Sequence, residues 1–205
     1  MERSPYNLAY TLQLAQQTFA LKQPPVMAEH SGCLYDPRLQ RFTVPYLGRT
    51  YTVSYPGGMV AAENQQEADL ITSVLLLHYL SGPGGVELSD SWISFQELQS
   101  GAIYTGPFRK RAVIPLLKGF GTRPQALAAA AERLGGKPAA FGDMSYIIPV
   151  LPRVPLLLIL WYGDDEFPPN GNILFNRDVN TYLSTEDCAQ LAGQTVYTML
   201  KLKLE

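Results

Sequence analysis

The residues best suited to chemistry lie in one stretch, Leu160-Trp161-Tyr162-Gly163-Asp164-Asp165-Glu166-Phe167-Pro168-Pro169, where three carboxylates follow directly on an apolar run. Carboxylate oxygens are the usual ligands of hard divalent cations such as Mg²⁺ or Ca²⁺. Crowded like charges also raise the pKa of one carboxyl toward the range of a general acid. If residues 144–148 pair antiparallel with 154–162, Asp143 falls beside Gly163 and Asp164, and up to four carboxylates gather at one strand end. Asp164, Asp165 and Glu166 are therefore candidate ligands for a divalent cation or candidate acid/base groups, and Asp143, Trp161 and Tyr162 join them as candidate binding residues. The competing reading is a turn, in which the aspartates bond nearby backbone amides and Phe167 tucks back into the core. The Asp-x-Asp-x-Asp-Gly spacing of a calcium loop is absent.

Other chemistry-bearing residues are sparse. His30 and Cys33 are three apart and could share a metal, but the other histidine and cysteine, His78 and Cys188, lie far along the chain, so His30 reads as a loop residue. His78 falls in an apolar helix, where a buried, hydrogen-bonded imidazole is expected and catalysis or cofactor contact is the alternative. The chain has no Gly-x-Ser-x-Gly motif, no basic sequence neighbour to either cysteine and no lysine-serine pairing, so the familiar hydrolase chemistries have no support. Ser81-Gly82-Pro83-Gly84-Gly85 follows a helix and lacks the Gly-Lys-Ser/Thr end of a phosphate loop, so it reads as a loop with unusual backbone angles. Tyrosines and tryptophans are frequent enough to line a pocket or a partner surface, but their number alone decides nothing.

The elements that must position these residues begin with composition. A chain of 205 residues with 46% hydrophobic and 17% charged residues can bury a core, which points to one domain over residues 1–205, with two compact lobes as the other reading. The net charge is -2 and the only basic run is Arg109-Lys110-Arg111, a solvated helix face, so no nucleic-acid footprint is visible. Two cysteines make no disulfide framework, and free thiols in a reducing cytoplasm follow. Met1 to Tyr6 do not resemble a secretory signal. The longest apolar stretch, Val154 to Tyr162, is too short to cross a bilayer as a helix, so no membrane association is expected.

Periodicity then places the elements. Ser4-Pro5 signals a helix start, and Leu8, Leu12, Ala15 and Phe19 form an apolar stripe that ends at Gln23-Pro24-Pro25. Phe42, Val44 and Tyr46, then Tyr51 to Tyr55, alternate as a β-hairpin; Pro45 places its strand at a sheet edge or on a bulge. A helix over residues 65–80 is apolar too broadly for a surface element and ends at Ser81-Gly82, with glycine in a left-handed cap. Residues 92–97 read either as a short strand or as a Ser94/Glu97 capping box. Residues 108–120 are helical in period with a kink or late start at Pro115, and 124–134 form an alanine-rich helix. Residues 144–148, 154–162 and 172–175 read as strands, the second covered on both faces. Ser184 and Asp187 open a closing helix. Two strand clusters without regular βαβ alternation predict an α+β fold, mainly antiparallel, with about five helices.

Three groups of residues resemble a known family: Trp92-Ile93-Ser94-Phe95-Gln96-Glu97-Leu98, then Gly101-Ala102-Ile103-Tyr104 with Gly106-Pro107-Phe108, and above all Leu151-Pro152-Arg153-Val154-Pro155-Leu156 running to Gly163-Asp164-Asp165-Glu166-Phe167-Pro168-Pro169. They resemble domain-of-unknown-function family 3786, bacterial and archaeal proteins of similar length, many from anaerobes. The resemblance covers most of the chain and is most specific between Pro152 and Glu186. It implies no assigned catalytic residue. Some members look fused to iron-sulfur domains or sit in one-carbon and corrinoid settings, which implies an accessory role there. Two cysteines cannot supply four thiolates, so any iron-sulfur role would be exercised on a partner.

Three functional expectations follow. The first is a cytoplasmic accessory protein that holds a small molecule or a protein partner in an aromatic-lined cleft beside residues 163–169. The second is an enzyme using the Asp164 to Glu166 carboxylates on a divalent metal or in acid/base catalysis. The third is a structural protein that acts through oligomerisation.

Overall fold

The structure, a computed structural model, describes residues 7–202, so the helix-start signal at Ser4-Pro5 lies outside the described residues. The fold is α+β, with two antiparallel sheets. The chain forms two compact units: the first runs to Val86 and takes in Thr181–Leu183, and the second holds Glu87–Asn180 and the chain from Ser184 onward.

In the first unit, helix α1 (Leu8–Ala20) starts at Asn7, whose side chain accepts the Tyr10 N–H at 3.3 Å. Ala15 and Phe19 of the expected stripe are buried. Phe19 meets Phe42 and Tyr55 edge to face, with centroids 5.7 and 5.6 Å apart, the favoured geometry for aromatic quadrupoles. Pro24-Pro25 does more than end a helix. It opens a second one, α2 (Pro24–Ser31), because proline at the first helical positions gives up only amides that have no partner there. Strands β1 (Leu34–Asp36), β2 (Arg41–Tyr46), β3 (Arg49–Ser54) and β4 (Val60–Ala62) form a sheet in chain order. The Pro45 strand is therefore flanked on both sides. However, β1 pairs only with residues 41–43, and Pro45 lies past the end of that pairing, where a missing donor costs no ladder bond.

Helix α3 (Leu70–Ser81) is capped by Asp69 and starts five residues later than the apolar pattern suggests. The Asp69 carboxylate accepts the Ile71 and Thr72 amides at 3.0 Å each and so fixes the start. Its residues 72–77, 79 and 80 are buried, and His78 is half-buried among them. Gly82 ends the helix in an extended conformation, not a left-handed one; the positive φ values fall two residues on, at Gly84 and Gly85.

In the second unit, residues 92–97 satisfy both sequence readings. Strand β5 (Trp92–Ser94) ends where Ser94 and Glu97 close a capping box over a 3-10 turn, Phe95–Glu97. Helix α4 (Gly101–Phe108) passes through a π turn, Arg109–Val113, into α5 (Ile114–Phe120). Pro115 explains the wide turn: it lacks an N–H and would press on a carbonyl one turn back, and a π turn just ahead of it re-phases the ladder. The basic run lies in this turn, where Arg111 pairs with Glu186 at 3.1 Å. Helix α6 (Pro124–Arg133) follows.

The second sheet runs β5-β9-β8-β7-β6, with β6 (Lys137–Ala139), β7 (Met144–Leu151), β8 (Val154–Trp161) and β9 (Asn170–Asn176). β7 extends three residues further than the proline-rich junction suggests, because a register shift between Pro149 and Leu151 absorbs the prolines, while β8 starts at Val154 as expected and ends one residue short of Tyr162. Leu156 to Leu160 are all buried, so both faces of this central strand are covered, as its unbroken apolar run requires. Helix α7 (Thr185–Leu202) closes the unit; Ser184 Oγ donates to Asp187 at 2.6 Å and accepts the Asp187 N–H at 3.2 Å.

Candidate functional site

The acidic loop leaves the central strand β8 at Tyr162 and returns as β9 at Asn170. Asp164 ties it into a tight turn. Its Oδ1 accepts the Glu166 N–H at 2.9 Å and the Phe167 N–H at 2.7 Å, and its own N–H donates to Phe167 O at 2.9 Å. These donors favour the ionised carboxylate and hold the Asp164 carboxyl below its ordinary value. Phe167 is left two-thirds exposed and does not tuck into the core.

Asp143 also reaches the loop, at its entrance. Oδ2 accepts the Tyr162 N–H at 2.7 Å, while the Asp143 N–H donates to Leu160 O at 3.0 Å. The antiparallel pairing of β7 with β8 brings it there, as the strand reading required. Asp143 and Asp164 thus act on backbone amides at opposite ends of the loop. Among the described residues no three or more His, Cys, Asp or Glu side chains form a group that could hold a metal ion.

The loop forms one wall of a cleft of about 540 Å³; the other wall is the turn between α5 and α6, at Gly121, Thr122 and Pro124. Pro169 joins the walls. A β-carbon on Gly163 would lie 2.8 Å from Pro169 N and Cδ, and one on Gly121 would lie 3.0 Å from Pro169 Cγ. Only residues without a side chain let the proline ring sit this close to both segments.

Four of the six candidate residues line the cleft: Tyr162, Asp164, Asp165 and Glu166. Asp143 and Trp161 do not; Asp143 orients the loop's first peptide, and Trp161 ends β8 outside the cleft. Asp165 and Glu166 are exposed, and neither carboxylate bonds another described residue. Sequence reasoning missed the opposite wall, residues 121–124, whose one local signal is the Gly-Thr-Arg-Pro break between two helical patterns.

Neither cysteine offers a ready nucleophile. Both are free and buried, and burial pushes the Cys33 thiol up to about 11 and also raises Cys188 well above its ordinary range.

The fold is α+β, with a cleft at a strand end rimmed by carboxylates and aromatic rings. The chain belongs to the family described as Domain of unknown function (DUF3786), whose model matches residues 23–198. No curated protein and no solved structure matches it significantly. No helix among the described residues is long and apolar enough to cross a membrane.

Proposed function

We propose that this chain is a binding or accessory protein that takes up a positively charged ligand, a small amine or a basic side chain of a protein partner, in the cleft between residues 121–124 and 162–169. One observation carries the reading. Asp165 and Glu166 stand on the cleft rim without a partner among the described residues, beside the exposed rings of Tyr162 and Phe167. Carboxylates attract a cation, and an aromatic face holds it by a cation-π contact worth roughly 0.5–1 kcal/mol at an exposed site. Asp164 is the positioning residue, because its bonds to the Glu166 and Phe167 amides fix the carboxylate and the ring together. Two free, buried thiols support a reducing cytoplasm as the place of action.

Calorimetric titration with spermidine tests this. Binding should weaken by about tenfold or more in an Asp165→Asn/Glu166→Gln double variant, and should fall with salt over the range where the Debye length shrinks below about 10 Å. Equal affinity in the wild-type and double-variant proteins, or no heat of binding in either, overturns the proposal.

A further inference from the structure

The first unit carries a second cleft, of about 430 Å³, where the end of α1, the start of α2 and the end of α3 meet. Its polar lining consists of Lys22, Gln23, His30 and Ser81, and it includes no carboxylate. None of these four side chains bonds another described residue. Gln23 precedes α2 without capping it, and Ser81 Oγ is buried with no partner. The apolar lining is Leu21, Val26, Met27 and Pro83; Leu21 is 86% exposed and Met27 is buried at 4%.

His30 is held in place by the glycine-rich segment that ends α3. Gly84 and Gly85 have φ values of +50° and +73°, and the Gly85 N–H donates to His30 O at 3.2 Å. β-carbons there would lie 3.0 Å from His30 Cβ and 2.9 Å from His30 Cδ2. A side chain at either position would both strain the backbone and displace the histidine. The segment that the sequence marks as a loop with unusual backbone angles is, in its folded form, a clasp that fixes an imidazole beside a cleft.

We infer that this cleft binds a small organic carboxylate with an aliphatic body. Lys22 is its one permanent charge, which matches a single anion. His30 and Gln23 supply donors for carboxylate oxygens, and the apolar lining accepts the tail. The site is separate from the carboxylate-rimmed cleft of the second unit and prefers the opposite charge.

Titration of the full chain with hexanoate, followed by amide chemical shifts, tests the inference, with hexanamide as the uncharged control. Hexanoate should shift the amides of residues 21–30 and 81–85, hexanamide should bind about tenfold more weakly, and Lys22→Met should weaken hexanoate by a similar factor. Lys22 is exposed, so the variant folds. Gln23→Ala, at an exposed position, should also weaken hexanoate while leaving the chemical shifts of the second unit unchanged. Equal binding of the amide, shifts outside these two segments, or undiminished affinity in Lys22→Met overturns the inference.

Discussion

At the scale of single residues, Asp164 shows how one carboxylate can shape a loop without touching a ligand. Its two backbone acceptor bonds are stronger to the charged form, and so they depress its pKa in the folded state. A depressed folded-state pKa means that the stabilisation is complete above the ordinary aspartate value of 3.8 and is lost as pH falls below it. The amides of Glu166 and Phe167 should therefore lose hydrogen-exchange protection on acidification before the core strands do. Asp164→Ala should abolish that protection at every pH, whereas Asp164→Asn, which keeps an acceptor oxygen, should retain much of it and remove its dependence on acid. Persistent protection in the alanine variant would show that the Gly163 and Pro169 packing holds the loop unaided. The turn reading of this segment was legible because aspartate after glycine bonds amides locally; the exposure of Phe167 was not, since it depends on a wall more than forty residues away in sequence.

At the scale of elements, the stacked pair Phe95 and Phe108, 4.1 Å between centroids and nearly parallel, joins the 3-10 turn after β5 to the end of α4, and both rings tilt against Phe175 of β9. Phe108 is 3% exposed. Its replacement by alanine should cost about 3–5 kcal/mol, measured by urea unfolding, because the cavity would open between three elements that cannot all collapse into it. The long elements were readable from sequence. The stripe of α1 and the alternation of β2 and β3 repeat a period often enough to be read, and β8 shows as a short unbroken apolar run between turn residues. The short strands β1, β4 and β6 have three residues each and no room for a period. Helix α2 was hidden for a different reason: proline serves both as a stop after one helix and as a start for the next, and Pro24-Pro25 does both. The cleft walls were half legible, since a loop's acidic residues can be seen in sequence while the distant turn that faces them cannot.

At the scale of the whole molecule, the first unit is completed by Thr181–Leu183, a segment that arrives only after the second sheet has been laid down in sequence. Tyr182 and Leu183 are buried at 2% and 3%; the Tyr182 ring lies 6.2 Å from Tyr79, and its hydroxyl donates to Val86 O. The Gly84 N–H donates to Thr181 O at 2.9 Å. Tyr182→Ala should destabilise the first unit by roughly 3 kcal/mol or more, read as faster amide exchange across residues 75–80 of α3. Unchanged exchange there would mean that the segment lies on the first unit without supporting it.

During synthesis, this late return delays the half made first. Residues up to Val86 leave the ribosome before the second unit but lack the tyrosine that fills their interior until Glu87–Asn180 have been translated. The first unit must therefore wait, incomplete, for most of the second to be made, which reverses the usual vectorial order in which the first-made part folds first.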